Sequence, residues 1–189
     1  MDDSDHELMA RLAAGEDLAL NELMDRWRER LASFLHRMTG HWEIAADLAQ
    51  ETFVKLYQAR ARYRPSGNFS TYLFSIASNL ARNHARWKSR HPTVSIDVSP
   101  DEGGGTVPEL ADPGKSPDEA ALAAEKFHAV HSAFLRLPAD LREAMSLFVY
   151  EGLGYAEIAA IAGCSPKAVE TRIYRARQIL REQLSELAR

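Results

Sequence analysis

Proline and glycine are concentrated in one stretch of this 189-residue chain. Five of the eight prolines and four of the ten glycines lie between Pro92 and Pro117. Because both residues interrupt helices, and because residues 91–119 carry a net charge of −6, we expect a flexible acidic linker here. The linker divides the chain into two folded parts. The predicted boundaries are 1–91 for the first domain, 92–117 for the linker and 118–189 for the second domain.

Apolar residues recur at helical spacing on both sides of this linker. Leu23, Trp27 and Leu31 follow one another at four-residue steps, which is the spacing of a buried helical stripe. Gly40 is expected to end that helix, and residues 64–68 to form a loop before the next long one. No alternation typical of strands is present in the first part. The pattern predicts an all-α protein built from two small helical domains.

Positive charge is concentrated between Lys55 and Arg90. This segment contains eight Lys and Arg residues and no Asp or Glu, whereas residues 1–54 carry a net charge of −7. Such a block in an acidic chain predicts a polyanionic partner, and nucleic acid fits best. Aromatic residues interleave with the charges, and aromatic rings give unstacked bases a surface to stack on. We expect Tyr63 and Phe69, beside the loop, to face bases. We expect the others to be at least half buried: Tyr72, Phe74 and Trp87.

The second part contains a helix-turn-helix pattern. A short apolar helix from Tyr155 is followed by a turn at Gly163 and a long helix that begins at Pro166 and ends near Leu187. Ser165 is placed to cap the long helix, and glycine suits a turn that needs a positive φ. Residues early in a recognition helix reach base edges in the major groove. The predicted DNA-facing residues are Ser165, Lys167, Glu170, Thr171, Arg172, Tyr174, Arg175 and Arg177.

Other classes of function find little support in the sequence. Cys164 is the single cysteine, so no disulfide can form within the chain, and we interpret it as a structural residue at the turn. The N-terminus does not resemble a signal peptide, and no apolar run approaches the roughly 20 residues that span a bilayer. The histidines have no metal-site spacing, and no nucleophile–base motif of an enzyme is present. We expect a cytoplasmic protein without catalysis, metal, cofactor, small-molecule substrate or membrane insertion.

Several motifs together resemble one protein family. They occupy residues 47–57, 69–79, 137–144, 155–159 and 168–177, in that order and at consistent spacing. This series resembles the extracytoplasmic-function (ECF) sigma factors, the smallest members of the bacterial sigma-70 family. The resemblance implies sigma region 2, a linker and sigma region 4. It also implies a protein that binds core RNA polymerase, recognises the minus-35 and minus-10 promoter elements and melts the minus-10 region.

The resemblance assigns expected roles to individual residues. The helix at 47–57 matches the segment that binds the clamp coiled coil, and the flap of the large subunits is a further expected contact. The polar face of the helix at 47–57 carries Asp47, Gln50, Glu51 and Lys55. Asn79 is expected beside a pocket that holds a flipped base, since capture in a pocket offsets the few kcal/mol of unstacking. The predicted minus-10 residues are Tyr63, Arg64, Asn68, Phe69, Asn79, Arg82, Asn83 and Arg86.

Two positions differ from the usual family pattern. Tyr72 stands where the family usually has Trp, which removes some stacking or packing area. Glu170 stands where many relatives have a basic residue, so it either accepts a hydrogen bond from cytosine or pairs with Lys167 or Tyr174. The resemblance further implies control by an anti-sigma factor. The alternative interpretation is a helix-turn-helix regulator that binds DNA without polymerase, and the motif at 47–57 argues against it.

Overall fold

The computed structural model describes residues 2–65, 67–91 and 128–187, and side chains are described from Ser4 to Ser185 within these ranges. The predicted linker and the start of the predicted second domain lie outside them. Before the gap, the helices are α1 (Asp2–Ala13), α2 (Leu18–Thr39), α3 (Trp42–Ala59), a 3-10 turn (Arg60–Arg62) and α4 (Phe69–Arg90). After it, they are α5 (128–135), α6 (Ala139–Val149), α7 (Tyr155–Ala162) and α8 (Pro166–Leu187). The described residues contain no strand, and the all-α prediction is confirmed.

Two glycines end helices where the sequence predicts. Gly40 closes α2 with φ of +79°, and its N–H donates to the carbonyl oxygen of His36. Gly163 closes α7 with φ of +64°, and its N–H donates to Ala159. No atom outside the adjacent residues would crowd a Cβ at Gly163, so the left-handed backbone itself is what favours glycine there.

Helices α1 to α4 form the N-terminal bundle around an aromatic centre. Trp27 of α2 meets the rings of Phe69 and Phe74 edge to face, with centroids 5.7 and 6.2 Å apart. Phe34 packs on Phe74 in the same way at 5.2 Å. All four side chains are buried. The predicted α2 stripe and the predicted burial of Phe74 are therefore confirmed.

Helices α5 to α8 form the C-terminal bundle, and α7 and α8 are its helix-turn-helix. Ile158 and Ile161 of α7 and Val169 and Ile173 of α8 are buried where the two helices meet. Ser165 accepts the backbone N–H of Ala168 over 3.2 Å, which caps α8. A separate small core joins α5, α6 and α8 through Phe134, Leu137, Leu141 and Ala176.

The two bundles pack against each other. Helix α7 lies along α4, and α6 lies against α2. Buried apolar residues from both bundles form one contiguous cluster that extends from Leu8 to Ile173. In this closed arrangement, the basic helix α4 and the helix-turn-helix are in direct contact.

Candidate nucleic-acid interface

The polar face of α3 is open to solvent. Asp47, Gln50, Glu51 and Lys55 are all exposed, and the Lys55 ammonium lies 3.4 Å from the Glu51 carboxylate. Val54, between them, is 52% exposed. Mixed charges around an exposed apolar side chain suit a protein partner better than a polyanion. The structure thus places these four predicted residues together on one surface.

Tyr63, which the sequence predicts to face bases from the loop before α4, contacts neighbouring side chains of its own bundle. The Tyr63 hydroxyl is within hydrogen-bonding distance of the His6 ring, and the Tyr63 ring packs beside Phe69 and Tyr72. The Tyr63 side chain is half-buried, and Arg64 is exposed.

The prediction that Phe69 faces bases is wrong for this arrangement, because its ring is fully buried against Trp27. Phe69 is the first residue of α4, and the apolar stripe of that helix points it into the core.

Asn79 and Asn83 lie on the exposed face of α4 and pair with arginines one turn onward. The Asn79 side-chain oxygen accepts from Arg82 over 2.9 Å, and that of Asn83 accepts from Arg86 over 2.7 Å. An open cavity of about 340 Å³ lies between α3 and α4 beside both asparagines. Its lining comprises Lys55, Ala59, Tyr72, Ile76, Asn79, Leu80 and Asn83. A cavity of this volume is large enough for a nucleobase.

Trp87, near the end of α4, is 55% exposed, so the prediction that it is at least half buried is wrong. His91 stacks on its indole at 5.1 Å, and His84 lies 6.4 Å away at a tilt. Tyr72, by contrast, is partly buried, and burial raises the pKa of its hydroxyl.

Arg82 is directed at the helix-turn-helix rather than at solvent. Its guanidinium donates to the carbonyl oxygens of Ile161 and Ala162, over 3.1 and 3.3 Å. These are the last residues of α7, so Arg82 satisfies carbonyls that have no partner within that helix. It also lies 3.8 Å from the buried carboxylate of Glu143. In the closed arrangement, Arg82, a predicted DNA contact, is therefore bound to the C-terminal bundle.

The N-terminal end of α7 is also held by α4. One carboxylate oxygen of Glu157 accepts the backbone N–H of Gly154 over 2.8 Å, which caps α7. The other accepts hydrogen bonds from the side chains of Asn68 and Thr71. Asn68, another predicted minus-10 residue, therefore binds the C-terminal bundle too.

A second polar contact joins α2 to the C-terminal bundle. Glu151 accepts hydrogen bonds from Arg37 over 2.8 Å and from Arg30 over 3.2 Å. Arg37 also donates to Ser146 over 2.8 Å, and Arg142 donates to the carbonyl oxygen of Met38 over 2.9 Å.

Burial perturbs the ionisable groups at this interface. It raises the pKa of Glu143, and the nearby charge of Arg82 opposes the rise. It likewise raises the pKa of Glu151 against the opposing charges of Arg37 and Arg30. Burial lowers the pKa of Arg37, although a guanidinium stays charged at neutral pH. Neither glutamate is among the site residues predicted from the sequence.

The exposed face of α8 carries most of the predicted minus-35 residues. Tyr174 is 63% exposed, and Ser165, Thr171, Arg175 and Arg177 are exposed as well. The Lys167 ammonium lies 2.8 Å from the Glu170 carboxylate, so Glu170 pairs with Lys167 rather than with Tyr174. The hydrogen bond from cytosine stays a prediction.

Arg172 differs from its neighbours on α8. It is partly buried, 3.4 Å from the Asp140 carboxylate, and it contacts the Cys164 sulfur at 3.6 Å. It therefore braces the turn of the helix-turn-helix in this arrangement.

Within the described ranges, no helix is long and apolar enough to cross a membrane. Among the same residues, no group of three or more His, Cys, Asp and Glu side chains is placed to hold a metal ion.

Comparison with known families gives two matches. The model for Sigma-70 region 2 matches residues 23–91, and that for Sigma-70, region 4 matches residues 127–180. The RNA polymerase sigma-H factor of Pseudomonas aeruginosa is 32% identical over 191 residues, which cover 99% of this chain and 97% of that protein. The ECF RNA polymerase sigma-E factor of Escherichia coli K12 is 33% identical over 190 residues, with 98% and 97% covered.

Two solved structures are also similar. CnrH in complex with the cytosolic domain of CnrY is 26% identical, with a TM-score of 0.70 over 97% of this chain and 98% of that one. The sigma factor RpoE in complex with the anti-sigma factor NepR from Bartonella quintana is 23% identical. It has a TM-score of 0.64 over 87% of this chain and 96% of that one, which indicates a shared fold.

Proposed function

Since this chain belongs to the extracytoplasmic-function group of the sigma-70 family, we propose that three of its described surfaces bind polymerase, the minus-10 element and the minus-35 element. The polar face of α3 binds core RNA polymerase. The exposed face of α4 binds and opens the minus-10 element, and the exposed face of α8 reads the minus-35 element. Because polymerase and promoter lie in the cytoplasm, the protein acts there.

The observation that carries this proposal is the open cavity beside Asn79. A sigma factor opens DNA without covalent chemistry, so it must bind an unpaired base more favourably than water solvates that base. The cavity supplies apolar walls from Ile76 and Leu80 and amide groups from Asn79 and Asn83. Unstacking a base costs a few kcal/mol, and pairing of its polar edge with amides in a shaped pocket offsets that cost.

The charge around the cavity favours the same ligand. The guanidinium of Arg86 donates to the side chain of Asn83, which lines the cavity. Cations beside a base pocket neutralise the phosphates that accompany a flipped nucleotide, and this attraction weakens as salt rises.

The closed arrangement cannot read both promoter elements at once. Elements centred near minus 10 and minus 35 are about 25 base pairs apart, which is about 85 Å of duplex. In the closed arrangement, α4 and the helix-turn-helix are in contact through Arg82. The bundles must therefore separate before both elements are bound. The 26 residues of the predicted linker, 92–117, can span up to about 90 Å, which matches this separation.

We propose that an anti-sigma factor stabilises the closed arrangement. The similar sigma factor structure from Bartonella quintana contains an anti-sigma factor, and CnrH is in complex with part of CnrY. A partner that binds the closed arrangement more tightly than the open one shifts the equilibrium by that difference in affinity. While the bundles are closed, Asn68 and Arg82 are withheld from DNA.

Promoter opening by reconstituted holoenzyme tests the proposal. The chain is mixed with core polymerase and promoters selected by that holoenzyme, and opening is followed by permanganate footprinting and run-off transcription. Asn79→Ala should reduce opening more than core binding, whereas Asn21→Ala, an exposed asparagine on α2, should leave both unchanged. Equal opening by Asn79→Ala and wild type would remove Asn79 from the base pocket.

The same experiment separates the alternative, a regulator that acts without polymerase. Such a regulator would bind duplex DNA through α8 but would neither co-elute with core polymerase nor support run-off transcription. The full-length similarity to curated sigma factors favours the sigma factor.

A further inference from the structure

Trp87 is a large exposed aromatic side chain on the basic helix. Its indole is 55% exposed, although tryptophan is among the residues that gain most from burial. His91 supports one side of the ring, since the two rings stack at 5.1 Å with an angle of 24° between their planes. A ring held by a neighbour and still open to solvent is ready to stack on a flat ligand.

The surroundings of Trp87 are cationic. Arg86, Lys88 and Arg90 are all exposed, and no acidic residue occurs between Lys55 and Arg90. An exposed aromatic ring flanked by cations is the arrangement that proteins use for single-stranded nucleic acid, where rings stack on bases and cations pair with phosphates. An anionic lipid surface or an acidic peptide would also attract these cations, but the cavity beside Asn79 on the same helix has room for a nucleobase, which favours nucleic acid.

Trp87 also continues the line of the cavity. Ile76, Leu80 and Asn83 line the cavity at steps of four and three residues along α4, and Trp87 follows Asn83 by four. Residues at these steps lie on the same face of a helix. Arg82, in contrast, points toward α7. Trp87 therefore lies one turn beyond the cavity on the face that is free of the C-terminal bundle.

We propose that Trp87 stacks on an unpaired base of the promoter strand whose flipped base enters the cavity beside Asn79. This inference rests on the proposed function and adds a second contact to it. Eight residues separate Asn79 from Trp87, which is about 12 Å along the helix. The rise of a stacked strand is about 3.4 Å per nucleotide and an opened strand is more extended, so the two bases are at most three or four positions apart. The two contacts hold the opened strand at two points.

Stacking on a base requires an aromatic ring at position 87, whereas filling space requires only a large apolar side chain. A base needs an aromatic face, so a large aliphatic side chain at position 87 cannot replace the indole. Trp87→Phe and Trp87→Tyr should therefore retain much of the binding, whereas Trp87→Leu and Trp87→Ala should both lose it. If the indole only filled space, leucine would serve nearly as well.

The experiment uses holoenzyme and a promoter that carries 2-aminopurine at one position of the non-template strand, scanned across the minus-10 region. Opening raises the fluorescence of the probe, and stacking on an indole quenches it. We expect one position, at most four nucleotides from the base assigned to Asn79, to stay quenched with wild type and to brighten with Trp87→Leu. Affinity for a pre-opened promoter should fall about 5- to 100-fold in Trp87→Leu. The salt dependence should change little, whereas Arg86→Ala should make it shallower.

The outcomes separate this inference from the function on which it rests. If wild type opens the promoter but every probe position is equally bright with Trp87→Leu and wild type, the Trp87 inference is wrong and the proposed function stands. Reduced core binding by Trp87→Leu with unchanged affinity for the pre-opened promoter also overturns it, because Trp87 would then contact protein. If wild-type holoenzyme opens no selected promoter, the proposed function itself fails.

Discussion

Arg82 of α4 donates a hydrogen bond over 3.1 Å to the backbone carbonyl oxygen of Ile161, in the last turn of α7. The C-terminal end of a helix has unpaired carbonyls and a partial negative charge, so a guanidinium there is doubly favourable. At the other end of α7, Glu157 accepts from Asn68, the residue just before α4, and from Thr71 of α4. The basic helix thus holds the first helix of the helix-turn-helix at both ends. It does so with two side chains that the sequence assigned to DNA.

The first prediction concerns this contact. Arg82→Ala removes two hydrogen bonds to the end of α7 and leaves Glu143 buried without its nearest cation. The loss should destabilise the closed arrangement by about 1–3 kcal/mol. Small-angle X-ray scattering of the isolated chain should therefore show a larger radius of gyration. Arg86→Ala is the matched control, because Arg86 is exposed and pairs with Asn83 on its own helix. An unchanged radius for Arg82→Ala would mean that apolar packing alone closes the bundles.

The second prediction concerns Glu143, whose substitution should shift the equilibrium between the closed and open arrangements in the opposite direction from substitution of its partner Arg82. Burial raises its pKa above the ordinary value near 4.5 despite Arg82. Because Arg82 of α4 packs against this carboxylate, we expect separation of the bundles to expose it, and the closed arrangement then binds its proton more tightly than the open one. This contribution to closing is complete below the ordinary pKa and is lost as pH rises through the raised pKa. Glutamine resembles the protonated form. Glu143→Gln should therefore favour the closed arrangement at pH 7, the reverse of Arg82→Ala.

The pH dependence must be compared between variant and wild type, because other groups titrate too. Arg172 and Asp140 also face Glu143, and Glu151 changes in the same direction. Burial lowers the pKa of His131, so acid opposes closing at that residue. The radius of gyration of Glu143→Gln and of wild type is measured from pH 4.5 to 8, and the difference between the two isolates the contribution of Glu143. A constant difference over this range would show that Glu143 does not take up a proton on closing.

Much of the fold was predictable from local rules. Gly40 and Gly163 end helices by adopting positive φ, and Ser165 caps α8, because each of these depends on neighbours within a few residues. The interface between the bundles was not predictable in this way. Glu151 binds Arg37 across 114 positions, and no local pattern records such a pair. A weaker signal was available at Glu143, whose spacing of four from Leu147 places a carboxylate on the buried face of α6.

The two errors about aromatic residues have related causes. The loop before Phe69 predicts a contact with bases, yet Phe69 begins α4 and its ring completes the core around Trp27. The apolar stripe of α4 predicts that Trp87 lies in the core. The bundle ends before that turn of the helix, so the ring emerges into solvent. Helical spacing gives the direction of a side chain but does not give the point where the neighbouring helices stop.

The third prediction concerns the polar face of α3. Reversal of charge at Asp47 and Glu51 to lysine should weaken binding to core polymerase, because both carboxylates are exposed and available to a cationic partner. The loss should be about 1–3 kcal/mol, and it should shrink as salt rises. Co-elution and a binding titration with labelled core measure it. Asp25→Lys combined with Glu29→Lys, at two exposed acidic residues of α2, changes the net charge by the same amount and is the control. Normal core binding by the Asp47/Glu51 variant would exclude this face as the contact.

The fourth prediction separates two arginines of α8. Arg175 is exposed, whereas Arg172 is partly buried between Asp140 and Cys164. Arg175→Ala should weaken holoenzyme binding to a minus-35 element without changing the stability of the chain. If Arg175 binds a phosphate, the loss is uniform across sequences and the salt slope falls by about one. If it binds a base edge, the loss is about 1–3 kcal/mol and specificity relaxes at one position. Arg172→Ala should also lower the melting temperature, since it removes a brace of the turn. Arg136→Ala, an exposed cation outside α8, is the control. Unaltered affinity of Arg175→Ala at moderate salt would remove Arg175 from the DNA interface.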